Sequence, residues 1–262
     1  MRIALPAVRH KLMDVEKNLQ LIEKNLASAD LVVFPEMFVT GYALKNRMLR
    51  FAEPLNGPIV EKLSRIASEH ETTIVTGMPE FCSAKNLVYN SAVVVMPDGN
   101  VKCYRKWKLA TFGPFEEGLY FSPGNGEHCI FEINGIRIGL LICYELFFPE
   151  IAKAYAMKGV DMLICISASP STTKKFFEAV LPARAIENTV YVAYSNLLGT
   201  EQNLVFWGGQ RIYGPRGELL GMIEPYSDGM LEIELEKARL KIARKLRPTI
   251  SDSQGCCKAN VE

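Results

Sequence analysis

Apolar residues along this chain come in short runs, and between those runs they recur three and four residues apart. Runs at residues 3–7, 31–34, 73–76, 136–142, 162–167 and 190–195 predict strands. Polar residues do not alternate through most of them, so they read as strands buried on both faces. Leu19, Ile22 and Leu26 share one face of a predicted helix that Asp14 is placed to cap. Pro58 opens a second helix, with Val60, Leu63, Ile66 and Ala67 turned inward. Further helices are predicted from Pro149-Glu150 through Ala156 and over residues 174–188. Turn residues predict two hairpins. Residues 91–96 and 101–104 flank Pro97-Asp98-Gly99-Asn100, and residues 210–213 and 219–223 flank Gly214-Pro215-Arg216-Gly217. Leu231, Ile233 and Leu235 alternate as an edge strand, and the polar stretch after Arg247 reads as an arm.

Alternating helices and strands with two hairpins predict an α/β fold on mixed rather than purely parallel sheets. The pattern suits two sheets stacked face to face with helices outside. No repeat or composition break marks a linker. Residues 1–250 are therefore read as one domain and 251–262 as a polar C-terminal tail.

Composition narrows the function. The 262 residues are 48% hydrophobic with a net charge of +1, which suits a large core and gives no field that favours nucleic acid or an anionic membrane. No apolar run approaches the roughly 18 residues of a membrane span, and the N-terminal stretch lacks a signal peptide's pattern, so a cytoplasmic location is the default. The seven cysteines are odd in number and irregular in spacing, which argues against a disulfide framework; none has a zinc-ligand spacing. Cys256 and Cys257 fall in the polar tail and carry no functional mark. With only three histidines, His10, His70 and His128, the search for a base turns to carboxylates.

Three segments carry chemistry. An apolar strand ends at Cys143, and Pro149-Glu150 then opens a helix. A thiol at such a corner stands near unpaired backbone N–H groups, which favour a thiolate and can hold an oxyanion. Glu36 follows another strand in Phe34-Pro35-Glu36-Met37-Phe38-Val39-Thr40-Gly41-Tyr42. Apolar neighbours on both sides predict its burial, which is costly for a carboxylate without a partner. Lys106 lies in Tyr104-Arg105-Lys106-Trp107-Lys108, ahead of Gly113-Pro114-Phe115-Glu116-Glu117-Gly118.

Together these segments resemble the nitrilase superfamily of carbon–nitrogen hydrolases, over roughly residues 1 to 250. The resemblance implies that Glu36 is a general base, Lys106 the family's lysine and Cys143 the nucleophile. Glu117 matches a second glutamate, with Glu116 as the fallback. Arg184 to Asn188, Asn196 and Gly208-Gly209 also match; Arg184, Glu187 and Asn188 read as a structural network at a helix end. The implied fold is a four-layer α-β-β-α sandwich whose sheets pair between two chains into an eight-layer homodimer or larger assembly. Two positions depart from the family. Many members carry Asp two residues and Arg four residues after the cysteine, where this chain has Glu145 and Phe147. The tripeptide Cys-Tyr-Glu is also similar to the superfamily's membrane-bound N-acyltransferases, whose transmembrane segments are missing here.

The expected reaction is hydrolysis of a small linear carboxamide to acid and ammonia through a thioester on Cys143. Lys106 and the Tyr144 N–H are expected to hold the oxyanion, with Glu117 positioning substrate or water. Tyr42, Glu145, Phe147, Phe148, Ser167 and Ser169 are candidates for the pocket. No metal or organic cofactor is required. The expected partners are a small-molecule amide and a second copy of the chain, not nucleic acid or membrane. Alternatives are hydrolysis of an N-carbamoyl compound, of a nitrile, N-acyl transfer, and a non-catalytic binding protein on the same fold.

Overall fold

The computed structural model describes residues 1–253. In chain order the elements are β1 (Arg2–Ala7), α1 (Val15–Lys24), β2 (Leu31–Val33), α2 (Pro58–Glu69), β3 (Thr73–Cys82), β4 (Leu87–Val95), β5 (Val101–Arg105), β6 (Ile130–Ile133), β7 (Ile136–Ile142), α3 (Pro149–Met157), β8 (Met162–Ser167), α4 (Lys174–Asn188), β9 (Tyr191–Asn196), β10 (Leu198–Glu201), β11 (Leu204–Trp207), β12 (Arg211–Tyr213), β13 (Leu219–Met222), β14 (Gly229–Glu234), α5 (Lys237–Leu246) and α6 (Thr249–Ser253).

Two six-stranded mixed sheets form the centre, in the orders β14-β1-β2-β3-β4-β5 and β13-β12-β9-β8-β7-β6. Each has one parallel trio, β1-β2-β3 or β7-β8-β9, with one antiparallel strand on one side and two on the other. The sheets therefore share one pairing pattern, although the sequence carries no visible repeat.

The run-like hydrophobicity has a direct cause. Ile3, Leu5, Leu31, Val33, Val75, Ala92 and Val94 face the core between the sheets. Their strand neighbours Ala4, Val32, Ile74, Val93 and Val95 face a second core under α1 and α2, which supply Leu19, Ile22, Val60, Leu63 and Ile66. On the other side, Ile151 and Ala152 of α3 and Phe177 and Leu181 of α4 close the layer over β7, β8 and β9. Alternate side chains of these strands thus enter two apolar environments.

Several elements exceed the pattern. β3 and β4 extend into a long hairpin through Gly77, Pro79 and Glu80, polar or turn-like residues that end the apolar run too early. Past Val75, β3 loses its β2 neighbour, so Pro79 costs no ladder bond on that side. An Asn134-Gly135 turn with φ of 48° and 76° joins β6 to β7. The hairpin β10–β11 stands outside both sheets. The basic stretch ahead of Arg247 is helix α5, which buries Leu240 and Ala243 and is tied to the core when Arg244 donates to Asp161 at 2.8 Å. Helix α6 crosses the expected boundary at residue 250. Cys256 and Cys257 lie outside the described residues. Among the described residues no helix is long and apolar enough to cross a membrane.

Candidate active site

The three chemical segments converge at the ends of strands from both sheets. β2 delivers Glu36 through a tight turn in which Met37 takes φ 53°. Gly77 of β3 packs directly on that turn: a Cβ there would stand 2.3 Å from the Met37 nitrogen and 2.6 Å from Cα of Glu36. Lys106 follows β5 and is anchored by its own N–H to the Asn90 carbonyl of β4 at 2.8 Å. Cys143 opens a single helical turn after β7 in the left-handed region, φ 51°. A non-glycine residue held there is a local cost that its surroundings must offset.

Glu145 supplies part of that support. Its carboxylate accepts from the N–H groups of Ile142 at 2.8 Å, Trp107 at 2.6 Å and Lys108 at 3.2 Å. It binds the nucleophile turn to the segment that carries Lys106. Glu145 is fully buried, so it is a buried strut rather than a pocket residue. Burial pushes its pKa up to about 7, against the lowering effect of the Ile142 and Trp107 hydrogen bonds. Arg184 secures the far end of the same turn by donating to the Leu146 carbonyl at 2.8 Å and to Glu187 at 2.8 Å.

Lys106 has no solvent exposure, and its ammonium lies between two carboxylates. It donates to Oε1 of Glu36 at 2.8 Å and to Oε1 of Glu117 at 2.7 Å. Glu36 Oε1 also accepts from Asn90 Nδ2 at 2.7 Å, and its Oε2 accepts from the Ala168 N–H at 2.7 Å. Glu117 accepts from the Tyr42 hydroxyl at 2.7 Å and the Ala110 N–H at 2.8 Å. Glu116 instead faces Lys45 at 3.5 Å and accepts from the Tyr120 hydroxyl at 3.2 Å. Glu117, not Glu116, therefore joins the cluster.

Burial disfavours the charged form of Lys106, but Glu117 and Glu36 together outweigh it and hold the ammonium well above the usual lysine range. Burial raises Glu117, with Lys106 opposing and Glu36 reinforcing the rise. Burial raises the Cys143 thiol, and the negative charge of Glu36 raises it further, only partly offset by Lys106. The resting site therefore favours a neutral thiol beside the Lys106 ammonium.

Cys143, 7% exposed, opens onto a cavity of about 480 Å³. Phe147, Ser169 and Tyr144 line it, together with residues the sequence did not single out: Phe112, Phe176 and Phe177. The other pocket candidates lie elsewhere. Phe148 packs edge-on against Tyr144 with centroids 5.0 Å apart, outside the cavity wall. Ser167 is fully buried beside the thiol at the end of β8. Tyr42 faces Glu117 and a separate, smaller cavity of about 60 Å³. The N–H of Tyr144, second in its helical turn, has no partner within the turn.

Two partners of Glu36 escape sequence reading. Asn90 is a fully buried polar residue beside the apolar run of β4, and its side chain demands a partner. Ala168 contributes only a backbone N–H, which no side-chain pattern reveals. Among the described residues no group of acidic, histidine or cysteine side chains is placed to hold a metal ion.

The carbon–nitrogen hydrolase family model matches residues 2–245. The chain is 31% identical over 261 residues to a nitrilase of Pyrococcus abyssi, covering 96% of each. It is 31% identical over 234 residues to an (R)-stereoselective amidase of a Pseudomonas species, covering 88% of this chain and 82% of that one. Its fold is similar to that of a CN-hydrolase superfamily protein of Xanthomonas campestris solved with an arsenic adduct in the active site, with TM-score 0.88, 26% identity and 96% of each chain covered. It is also similar to an amidase from Nesterenkonia sp., with TM-score 0.81, 30% identity and 92% of each chain covered. Because the match runs through nearly the whole sequence and the fold is shared along the same length, this chain belongs to the carbon–nitrogen hydrolase family of the nitrilase superfamily.

Proposed function

We propose that the chain is an amidase, hydrolysing a carboxamide to the acid and ammonia through a thioester on Cys143. The observation that carries this reading is the Glu36–Lys106–Glu117 cluster placed beside a thiol that opens onto a substrate-sized cavity. Glu36 takes the thiol proton as sulfur attacks the carbonyl carbon. Lys106 and the Tyr144 N–H hold the oxygen that becomes negative. Glu36 returns the proton to nitrogen, the C–N bond breaks, and ammonia leaves. Water then gives a proton to Glu36 and attacks the thioester; the C–S bond breaks, and the thiolate recovers the proton from Glu36. The high pKa of the thiol supports proton removal in step with attack, since a standing thiolate is disfavoured before substrate binds. Glu117, fixed by Lys106, Tyr42 and Ala110, is placed to orient the amide or the water.

The test is ammonia release from an amide panel, with and without prior iodoacetamide. Cys143→Ala is expected to abolish release while leaving Tm within a degree or two, because a small thiol loses little packing. Glu36→Gln is expected to leave no acylated Cys143 in an acid quench read by peptide mass. Ammonia release by the Cys143→Ala protein would end the thiol mechanism. Normal acylation in Glu36→Gln would move the base to Glu117.

A further inference from the structure

The wall of the cavity at Cys143 has a chemical character of its own. Five phenylalanines and one valine dominate it: Phe112, Phe115, Phe147, Phe176, Phe177 and Val180. Their rings form a mutually supporting array. Phe112 meets Phe115 edge-on with centroids 5.5 Å apart, and Phe147 meets Phe177 edge-on at 4.9 Å. No lining residue is charged. The hydroxyls of Ser169 and Thr173 are already committed. They bond each other at 2.7 Å, Trp207 Nε1 donates to Ser169 at 3.2 Å, and Thr173 donates to the Pro170 carbonyl at 3.0 Å. Phe112 and Phe176 remain 47% and 60% exposed at the mouth, apolar surface that a bound group would cover. The cavity, about 480 Å³, is roughly three times the ~150 Å³ apolar cavity that accepts a benzene ring.

We propose that this cavity is the acyl pocket, and that the substrate is a primary amide with a large, uncharged apolar acyl group, aromatic or long-chain, rather than a short amide or one bearing a second carboxylate. The proposal rests on the amidase reading and adds the class of acid. A second carboxylate here would lose its water and meet no cation in the wall. Phe147, four residues after Cys143, puts a ring rather than a cation in this wall.

The experiment has two arms. In the first, kcat/KM for ammonia release is compared for acetamide, hexanamide, 3-phenylpropionamide and glutaramate. Each buried methylene is worth about fourfold, so hexanamide and 3-phenylpropionamide are expected to exceed acetamide by on the order of 100-fold, with glutaramate no better than acetamide. Val180→Trp, which fills the cavity, should cut the ratio of 3-phenylpropionamide to acetamide turnover by at least about tenfold. Phe147→Arg, its fold checked by circular dichroism, should shift the ratio toward glutaramate by about tenfold. In the second arm, calorimetry measures binding of the same amides to Cys143→Ala protein, where turnover plays no part. Fast release from acetamide or glutaramate, with no gain for the apolar amides, overturns the acyl class and leaves the amidase reading intact. No ammonia from any amide, but selective binding of 3-phenylpropionamide, overturns the amidase reading and supports the pocket assignment. Neither turnover nor selective binding overturns both.

Discussion

Glu145 shows how one side chain can matter to a site without touching substrate. Its carboxylate spans two segments that are remote in sequence, and the left-handed Cys143 sits between Ile142, which it binds, and the rest of the turn. Burial lifts its pKa from 4.5 to about 7, so the folded chain holds this proton when the unfolded chain has released it. The stability this contributes is fully present below about pH 4.5 and is lost as pH rises through about 7. Urea midpoints across that window should fall more steeply in the native protein than in Glu145→Gln, by on the order of 3 kcal/mol over the whole range. Parallel curves would mean that Glu145 is ionised throughout. Below about pH 4.5 the glutamine variant should be less stable by about 1–3 kcal/mol, since its amide nitrogen cannot accept from a backbone N–H, and this deficit should shrink as pH rises through about 7.

At the scale of elements, the site depends on how closely β3 presses on the Glu36 turn. Gly77 has no positive φ to defend; what it provides is space. A methyl group there meets backbone, which cannot rotate aside as a side chain would. Gly77→Ala is therefore expected to cost about 1–3 kcal/mol and to lower kcat by displacing Glu36 relative to Lys106. Thermal melting and steady-state kinetics read the two effects, and an unchanged kcat would show that the turn tolerates the shift. The long β3–β4 hairpin that places Gly77 and Asn90 was only half legible. Its apolar core at residues 73–76 and 91–96 announced strands, but Pro79, Glu80 and Asn90 are residues that pattern reading assigns to loops. Glu80 is tolerated there because Arg105 binds it with Nε at 2.9 Å and Ser91 donates to it at 2.7 Å, partners that come from neighbouring strands.

At the scale of the molecule, the site is divided between the two sheets. Glu36 comes from β2 in one sheet and the N–H that holds its Oε2 from Ala168, just after β8 in the other. Ser195 of β9 reaches across to the Val33 carbonyl at 3.0 Å. Neither half holds a complete site, so the cluster exists only while the sheets are packed. Activity and far-ultraviolet circular dichroism should then be lost at the same urea midpoint. Activity lost well before the backbone signal would show that the sheet–sheet seam opens first.

The sequence by itself determined the α/β class, most strands and helices, and the positions of Glu36, Lys106 and Cys143 at strand ends. The elements follow from local properties, runs of apolar residues with proline and glycine punctuation, and Glu36 stood out as a carboxylate hemmed in by apolar neighbours; Lys106, and the three residues as a set, were legible only through the resemblance to the nitrilase superfamily. Tertiary structure decided the rest. It chose Glu117 over the adjacent Glu116, because only one of two neighbouring side chains can reach Lys106. It turned Glu145 from a pocket candidate into a buried strut, because the N–H groups it binds flank Cys143 and Lys106, segments separated by some 37 residues. It placed Phe112, Phe176 and Phe177 around the thiol, although their apolar character alone is equally suited to any core. Hydrogen bonds and pocket walls depend on which distant segments meet. That is fixed by the packing of two sheets and four flanking helices, and local periodicity holds no record of it.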